Sequence, residues 1–217
     1  MNTTSVWNFY SFVTARRALL AFSLVFASIF PASAKPTNVT GAEMRLLPRY
    51  CPDTQGFKYG YKAAPGYRHW ENLMGESFWH MHHYCWALVN LNRSMKAGLP
   101  ADKRRSMWEN ILNDYMYVIN NTPPDFVMLP EILTRAGEVE LLLNRPNNAN
   151  ALFQRARELK PDYGPAYSHW AEFLIKHGKR NDALEIVTAG LEHAPKAKVL
   201  LEQNRILGGK PPVIKQQ

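Results

Sequence analysis

The sequence predicts an all-α protein, a stack of about three helical hairpins closed by a capping helix, and three observations carry that prediction. From about Arg68 onward apolar residues recur every three to four positions rather than every two, the period of helices and not of strands. The amphipathic stretches are long and separated by short breaks rich in Pro, Gly and Asn. The pattern also repeats: Ala149, Phe153, Ala156 and Pro161 return at one constant offset as Ala183, Val187, Gly190 and Pro195.

The chain opens on a segment that does not belong to that stack. Residues 1–17 are polar, contain no acid and carry Arg16 and Arg17; Ala18 to Phe30 is a short apolar run, followed by Pro31, Ala32, Ser33 and Ala34. A basic end, a short apolar core and a small-residue exit describe a secretory signal cleaved after Ala34. The run is too short for a membrane-spanning helix, which needs roughly 20 apolar residues. The chain from Lys35 is therefore expected to be periplasmic or secreted, with no transmembrane segment after signal removal. Residues 35–67 show no sustained period and are punctuated by Pro36, Pro48, Pro52 and Pro65, the signature of an irregular arm with at most one short helix at Ala42–Arg49. Cys51 lies in this arm and Cys85 in the first helical stretch. In an oxidising compartment two cysteines read as a disulfide.

The helical part begins with a divergent pair at 68–127, formed by Arg68–Ser94 and Ala101–Asn120 with a longer loop at Met95–Pro100. Next come Met128–Asn144 and Asn147–Lys160, then Gly164–Lys176 and Asn181–Glu192, two pairs within 128–195. Leu133, Ala136, Gly137 and Glu140 of the first correspond to Tyr167, Trp170, Ala171 and Leu174 of the second. Small residues at Gly137, Ala149 and Ala156, and at Ala171, Ala183 and Gly190, let two antiparallel helices approach closely, and each proline stops a second helix. This arrangement resembles the tetratricopeptide repeat, whose unit is about 34 residues long, with Glu140 standing where that family usually has an aromatic residue. The resemblance implies a right-handed stack whose first helices line a concave, ligand-binding groove. Residues 196–217 supply the capping helix, Lys196–Leu207, and a tail broken by Gly208-Gly209 and Pro211-Pro212.

The formal net charge is +8, from 26 bases and 18 acids. Signal removal takes away two of those bases. The remaining balance is modest, acids are interspersed along the helices, and no basic run is dense enough to argue for nucleic acid. There is no GxSxG, phosphate-binding loop, dinucleotide-binding turn, HExxH, CxxC or CxxCH, and no nucleophile paired with a base, so no catalytic residue and no cofactor is expected.

Two sets of residues are candidates for binding a protein or peptide partner. On a helical wheel, Trp70, Met74, Phe78, Met81, Cys85 and Leu88 form a core stripe. Trp79, His83, Trp86 and Asn90 form a second stripe of amphipathic aromatic groups suited to peptide side chains or rings. Either this stripe faces the groove or the arm covers it. Along the first helices of the two regular repeats, Glu131, Thr134 and Glu138, then Ser168, Glu172 and Lys176, fall at groove-type spacings. A largely acidic set of this kind favours a basic or neutral peptide and lacks the residues of the family's carboxylate clamp. The alternative is a small-molecule or metal-binding protein built on the Trp- and His-rich stretch 77–92. There His80 and His83, three apart, could share an ion with His69 or Glu76, although the three histidines at 80, 82 and 83 do not converge on the wheel. The reading with most support is a non-catalytic scaffold or assembly adaptor of the bacterial cell envelope.

Overall fold

A computed structural model describes residues 39–60 and 62–211; the signal-like segment, including the expected cut after Ala34, lies outside the described residues. Among the described residues the regular structure is helical, and the one strand-like feature is an isolated bridge between Gln55 and Tyr59. The helices are α1 (Gly41–Met44), α2 (Tyr67–Met74), α3 (Met81–Ser94), α4 (Ala101–Asn121), α5 (Leu129–Leu142), α6 (Pro146–Leu159), α7 (Gly164–Lys176), α8 (Arg180–His193) and α9 (Lys198–Leu207). Helices α3 and α4, α5 and α6, and α7 and α8 pack as hairpins, and α9 closes the last of them against α7 and α8. None of these helices is long and apolar enough to cross a membrane.

Local sequence explains where the repeat helices begin and end. Proline occupies the first turn of α5, α6 and α7, where its missing N–H would have no intrahelical partner anyway. Asn144, after α5, and Gly178, after α7, both adopt positive φ, +61° and +74°, and they hold equivalent places in the two repeats. The turn within each repeat thus needs a left-handed residue, which Gly adopts freely and Asn tolerates. α9 stops at Gly208, also left-handed at φ +79°, with Gly209 N–H closing onto Asn204 O at 2.9 Å.

The helix crossings depend on the small residues. A Cβ added at Gly137 would lie 2.9 Å from the Phe153 ring, and one at Gly190 would lie 2.8 Å from Tyr167 Cγ and 2.9 Å from Leu200 Cδ1. Ala149, Ala156, Ala171 and Ala183 are fully buried. The two repeats solve the same crossing differently. The first sets Gly137 with Phe153; the second has Ala171 and Val187 at the equivalent places, a methyl group more on one helix and a smaller side chain on the other. Glu140, the departure from the repeat pattern, is buried and ionic where its equivalent Leu174 is apolar. Its carboxylate lies 3.7 Å from Arg145, which also grips Glu109 of α4 through two nitrogens at 2.5 and 3.1 Å. An ion network here links the first hairpin to the second.

The first hairpin departs from a single long helix over Arg68–Ser94. Gly75 takes φ +68°, and the chain runs as a 3-10 segment over Gly75–His80 before α3 begins. A wheel drawn through that break misplaces whatever precedes Met81, which is why Trp79 and His80 do not continue α3's faces. The core stripe survives because Phe78, Met81 and Cys85 are fully buried, with Trp70, Met74 and Leu88 packed against them. Cys51 and Cys85 are joined by a disulfide, with Cα atoms 5.6 Å apart. Asp53 accepts from Trp70 Nε1 at 2.9 Å, so the arm is fastened to both α2 and α3.

Candidate functional site

The first helices of the hairpins form a groove. α5 contributes Arg135, Glu138, Val139 and Leu142, spaced so that all four lie on one helical face. α7 contributes His169, Glu172, Phe173 and Lys176, each one repeat length after its counterpart on α5. Leu91 and Met95 at the end of α3 complete the walls around a cavity of about 310 Å³. Its floor is apolar, from Leu91, Val139 and Phe173, and its rim is charged. Met95 stands 53 % exposed at its mouth. Phe173 is held in place by stacking on Trp170, 5.1 Å between ring centres.

The rim charges are already arranged in pairs. Arg135 donates to Glu138 at 3.1 Å, Glu138 reaches across to His169 of α7 at 3.2 Å, and Lys176 pairs with Glu172 at 2.8 Å. Glu138 and Glu172 are therefore paired with Arg135 and Lys176 on their own helices, and His169 meets Glu138 from α7, while Glu131 stands outside these pairs. Such half-exposed pairs contribute little to stability, about 0–1 kcal/mol each, and are open to exchange partners with a ligand.

Of the residues singled out in the sequence, Glu138, Glu172 and Lys176 line this cavity. Glu131 lies one turn before Arg135 on α5, where it accepts from the Tyr84 hydroxyl and lines an adjoining cavity. Burial, and after it the Glu131 carboxylate, push Tyr84 ionisation well above its ordinary value. Thr134 and Ser168 are buried, 2 % and 5 % exposed, and their hydroxyls donate back to the carbonyls of Pro130 and Pro165. Arg135, Val139, Leu142, His169 and Phe173 also line the cavity and are not among the residues that groove-type spacing singles out. Comparing positions one repeat apart would have found them, because 135, 138, 139 and 142 map onto 169, 172, 173 and 176 as one shared face.

Trp79, His83, Trp86 and Asn90 do not line this groove cavity. His83 Nδ1 sits 2.7 Å from Asp114 of α4, and its ring stacks on Tyr117 at 3.9 Å. Trp86 stacks on Phe57 of the arm at 4.7 Å, so the arm does cover part of the stripe. Trp79 packs against His82, whose Nδ1 lies 2.7 Å from the Trp79 carbonyl. His80 packs on Tyr117 at 5.5 Å, so His80 and His83 share a tyrosine ring rather than a common centre. Among the described residues no three His, Cys, Asp or Glu side chains are grouped as a metal ion would need. Burial, and then the neighbouring His83, hold His80 below the ordinary histidine value. His82 is lowered mainly by burial as well.

The architecture defines the class: a stack of antiparallel helix pairs with a groove along the first helix of each. Residues 140–203 match the tetratricopeptide repeat family model, covering the second helix of one repeat, the whole of the next and most of the cap. A repeat stack of this type points to a protein–protein interaction scaffold. No curated protein matches the chain.

Proposed function

We propose that this protein is a non-catalytic adaptor of the bacterial cell envelope that binds a protein or peptide partner in the groove of α3, α5 and α7. The observation that carries this reading is the repetition of one groove face on α5 and α7, where Arg135, Glu138 and Val139 are answered by His169, Glu172 and Phe173, with Leu142 replaced by Lys176. A peptide laid across the two helices meets the same alternation twice, which suits an extended chain with apolar side chains set between polar ones. The segment 1–34 supports export, and the bonded pair Cys51–Cys85 fits an oxidising compartment. The test is a crosslinked capture from native envelopes with the tagged protein beside a Met95→Ser/Leu142→Ser variant. Both residues sit at the groove mouth with part of their surface exposed, so the variant should fold. A defined protein captured by the parent and lost by the variant is expected. Equal capture by both would remove the groove from the reading.

A further inference from the structure

The groove does not end at the cavity described above. A second cavity, about 330 Å³, is lined by Tyr84, Leu88, Leu91, Asn92, Glu131 and Arg135, and it shares Leu91 and Arg135 with the first. What closes it is the chain's own arm: Leu46, Leu47 and Pro48 form its remaining wall. Within the arm, the stretch from Glu43 to Cys51 is fastened at both ends. At one end Cys51 is bonded to Cys85. At the other, Glu43 of α1 accepts from Arg93 Nε at 2.6 Å and from its Nη2 at 3.1 Å.

Next to Cys51 the buried Tyr50 packs on Trp70 and Phe78, but over residues 44–49 the attachment is slight. Backbone hydrogen bonds of the segment run within it, Met44 N to Thr40 O, Arg45 N to Gly41 O, Leu46 N to Glu43 O and Leu47 N to Met44 O. Leu46 is 70 % exposed and Leu47 only partly buried. A four-residue helix has no stability of its own and forms here because Thr40 and Glu43 cap it reciprocally. The carboxyl of Glu43 is held down at about 2, first by the Arg93 hydrogen bond and then by the Thr40 amide, so this contact stays ionic at any physiological pH.

We propose that residues 40–49 are a displaceable internal occupant of the groove, swinging on the Cys51–Cys85 anchor. The partner that takes their place is then a peptide with an acidic residue four positions before a branched apolar one, as Glu43 precedes Leu47. This rests on the groove reading above and deepens it. The acid replaces Glu43 on Arg93, the apolar side chain replaces Leu47 beside Tyr84 and Leu88, and the rest of the peptide continues past Leu91 and Arg135 into the open cavity. In the absence of a partner the arm shields the apolar wall that would otherwise face water.

The probe is a labelled synthetic peptide of residues 39–50, titrated by fluorescence anisotropy onto the full chain with its bridge intact and onto a Glu43→Ala/Leu47→Ala variant of it. The variant should bind the peptide at least about tenfold tighter, because the open fraction of the groove rises. A peptide carrying its own Glu43→Ala change should lose that gain. Hydrogen exchange gives a second readout: saturating peptide should speed exchange at the parent's own Met44–Leu47 amides. Equal affinity for parent and variant, or no binding to either, would overturn the proposal, as would arm amides in the variant that exchange as slowly as in the parent. A failed envelope capture alongside the expected peptide exchange would sink the adaptor reading and leave this one standing.

Discussion

The two regular repeats and the region before them are held together in different ways. In α5 to α8 small residues, Gly or Ala, recur at equivalent places, and contact between neighbouring helices follows from close approach at Gly137, Ala156, Ala171 and Gly190. In the arm and first hairpin there is no such period. Order there comes from particular long-range links: Cys51 to Cys85, Asp53 to Trp70, Glu43 to Arg93 and Phe57 to Trp86. A periodic region distributes its stability over many equivalent contacts, whereas a tethered region concentrates it in a few. Perturbing one contact in each region should therefore give different signatures.

The largest effect is expected at the bridge. Cys51→Ser/Cys85→Ser opens a long loop between the arm and α3 and should lower stability by about 3–4 kcal/mol in the chain-entropy account. Denaturant unfolding measures it, and a change below about 1 kcal/mol would mean that the non-covalent links suffice.

Next come the crossings. Gly190→Leu drives a branched side chain between Tyr167 and Leu200, and Ala156→Leu does the same at the equivalent place in the preceding repeat. Each should cost about 3 kcal/mol, the upper end for overpacking, and lower the melting temperature by roughly 6–12 °C. An unchanged melting temperature in both would mean the repeats are not packed through these residues.

A smaller effect belongs to the first hairpin alone. Burial holds the folded-state values of His80 and His82 below the ordinary 6.5, with the Trp79 carbonyl and then Asp114 partly opposing the shift at His82. The unfolded chain therefore takes up protons first on acidification. Their contribution is complete above pH 6.5 and is lost as the pH falls through the lowered values. Stability measured from about pH 7.5 to 5 should decline, and His80→Asn/His82→Gln should flatten that decline. An identical slope in the variant would locate the pH dependence elsewhere. The smallest stability change is expected in the groove, where Met95→Ser/Leu142→Ser should stay within about 0.5–1 kcal/mol of the parent while weakening partner capture. A large loss of stability there would mark these residues as structural rather than as a docking surface.

Much of the fold was legible because it is periodic. The helix limits of α4 and α7 lie within a residue of the stretches read from the sequence, and the proline and glycine breaks fall between helices as expected. The break at Gly75 was not legible, since a glycine within an apolar pattern is compatible with a continuous helix until its φ is known. The groove was half legible. Spacing alone puts Glu138, Glu172 and Lys176 on the face that lines the cavity, but Thr134 and Ser168 look equally suitable until their hydroxyls are seen bonding to their own helices. The aromatic stripe was ambiguous for a similar reason: a partly apolar helix face does not say which neighbour will cover it.

The amino-acid sequence alone determined the helical class, the length of the repeating unit, the closeness of the helix crossings and the availability of two cysteines for one bridge. Each is a local or periodic property, set by residue size, backbone freedom and spacing. Only the tertiary structure decided that the arm lies along α3 and walls one end of the groove, that Trp86 meets Phe57, and that Glu138 of α5 meets His169 of α7. Those are contacts between residues distant in the chain and outside any period, and they are settled by how the packed helices bring their free faces together.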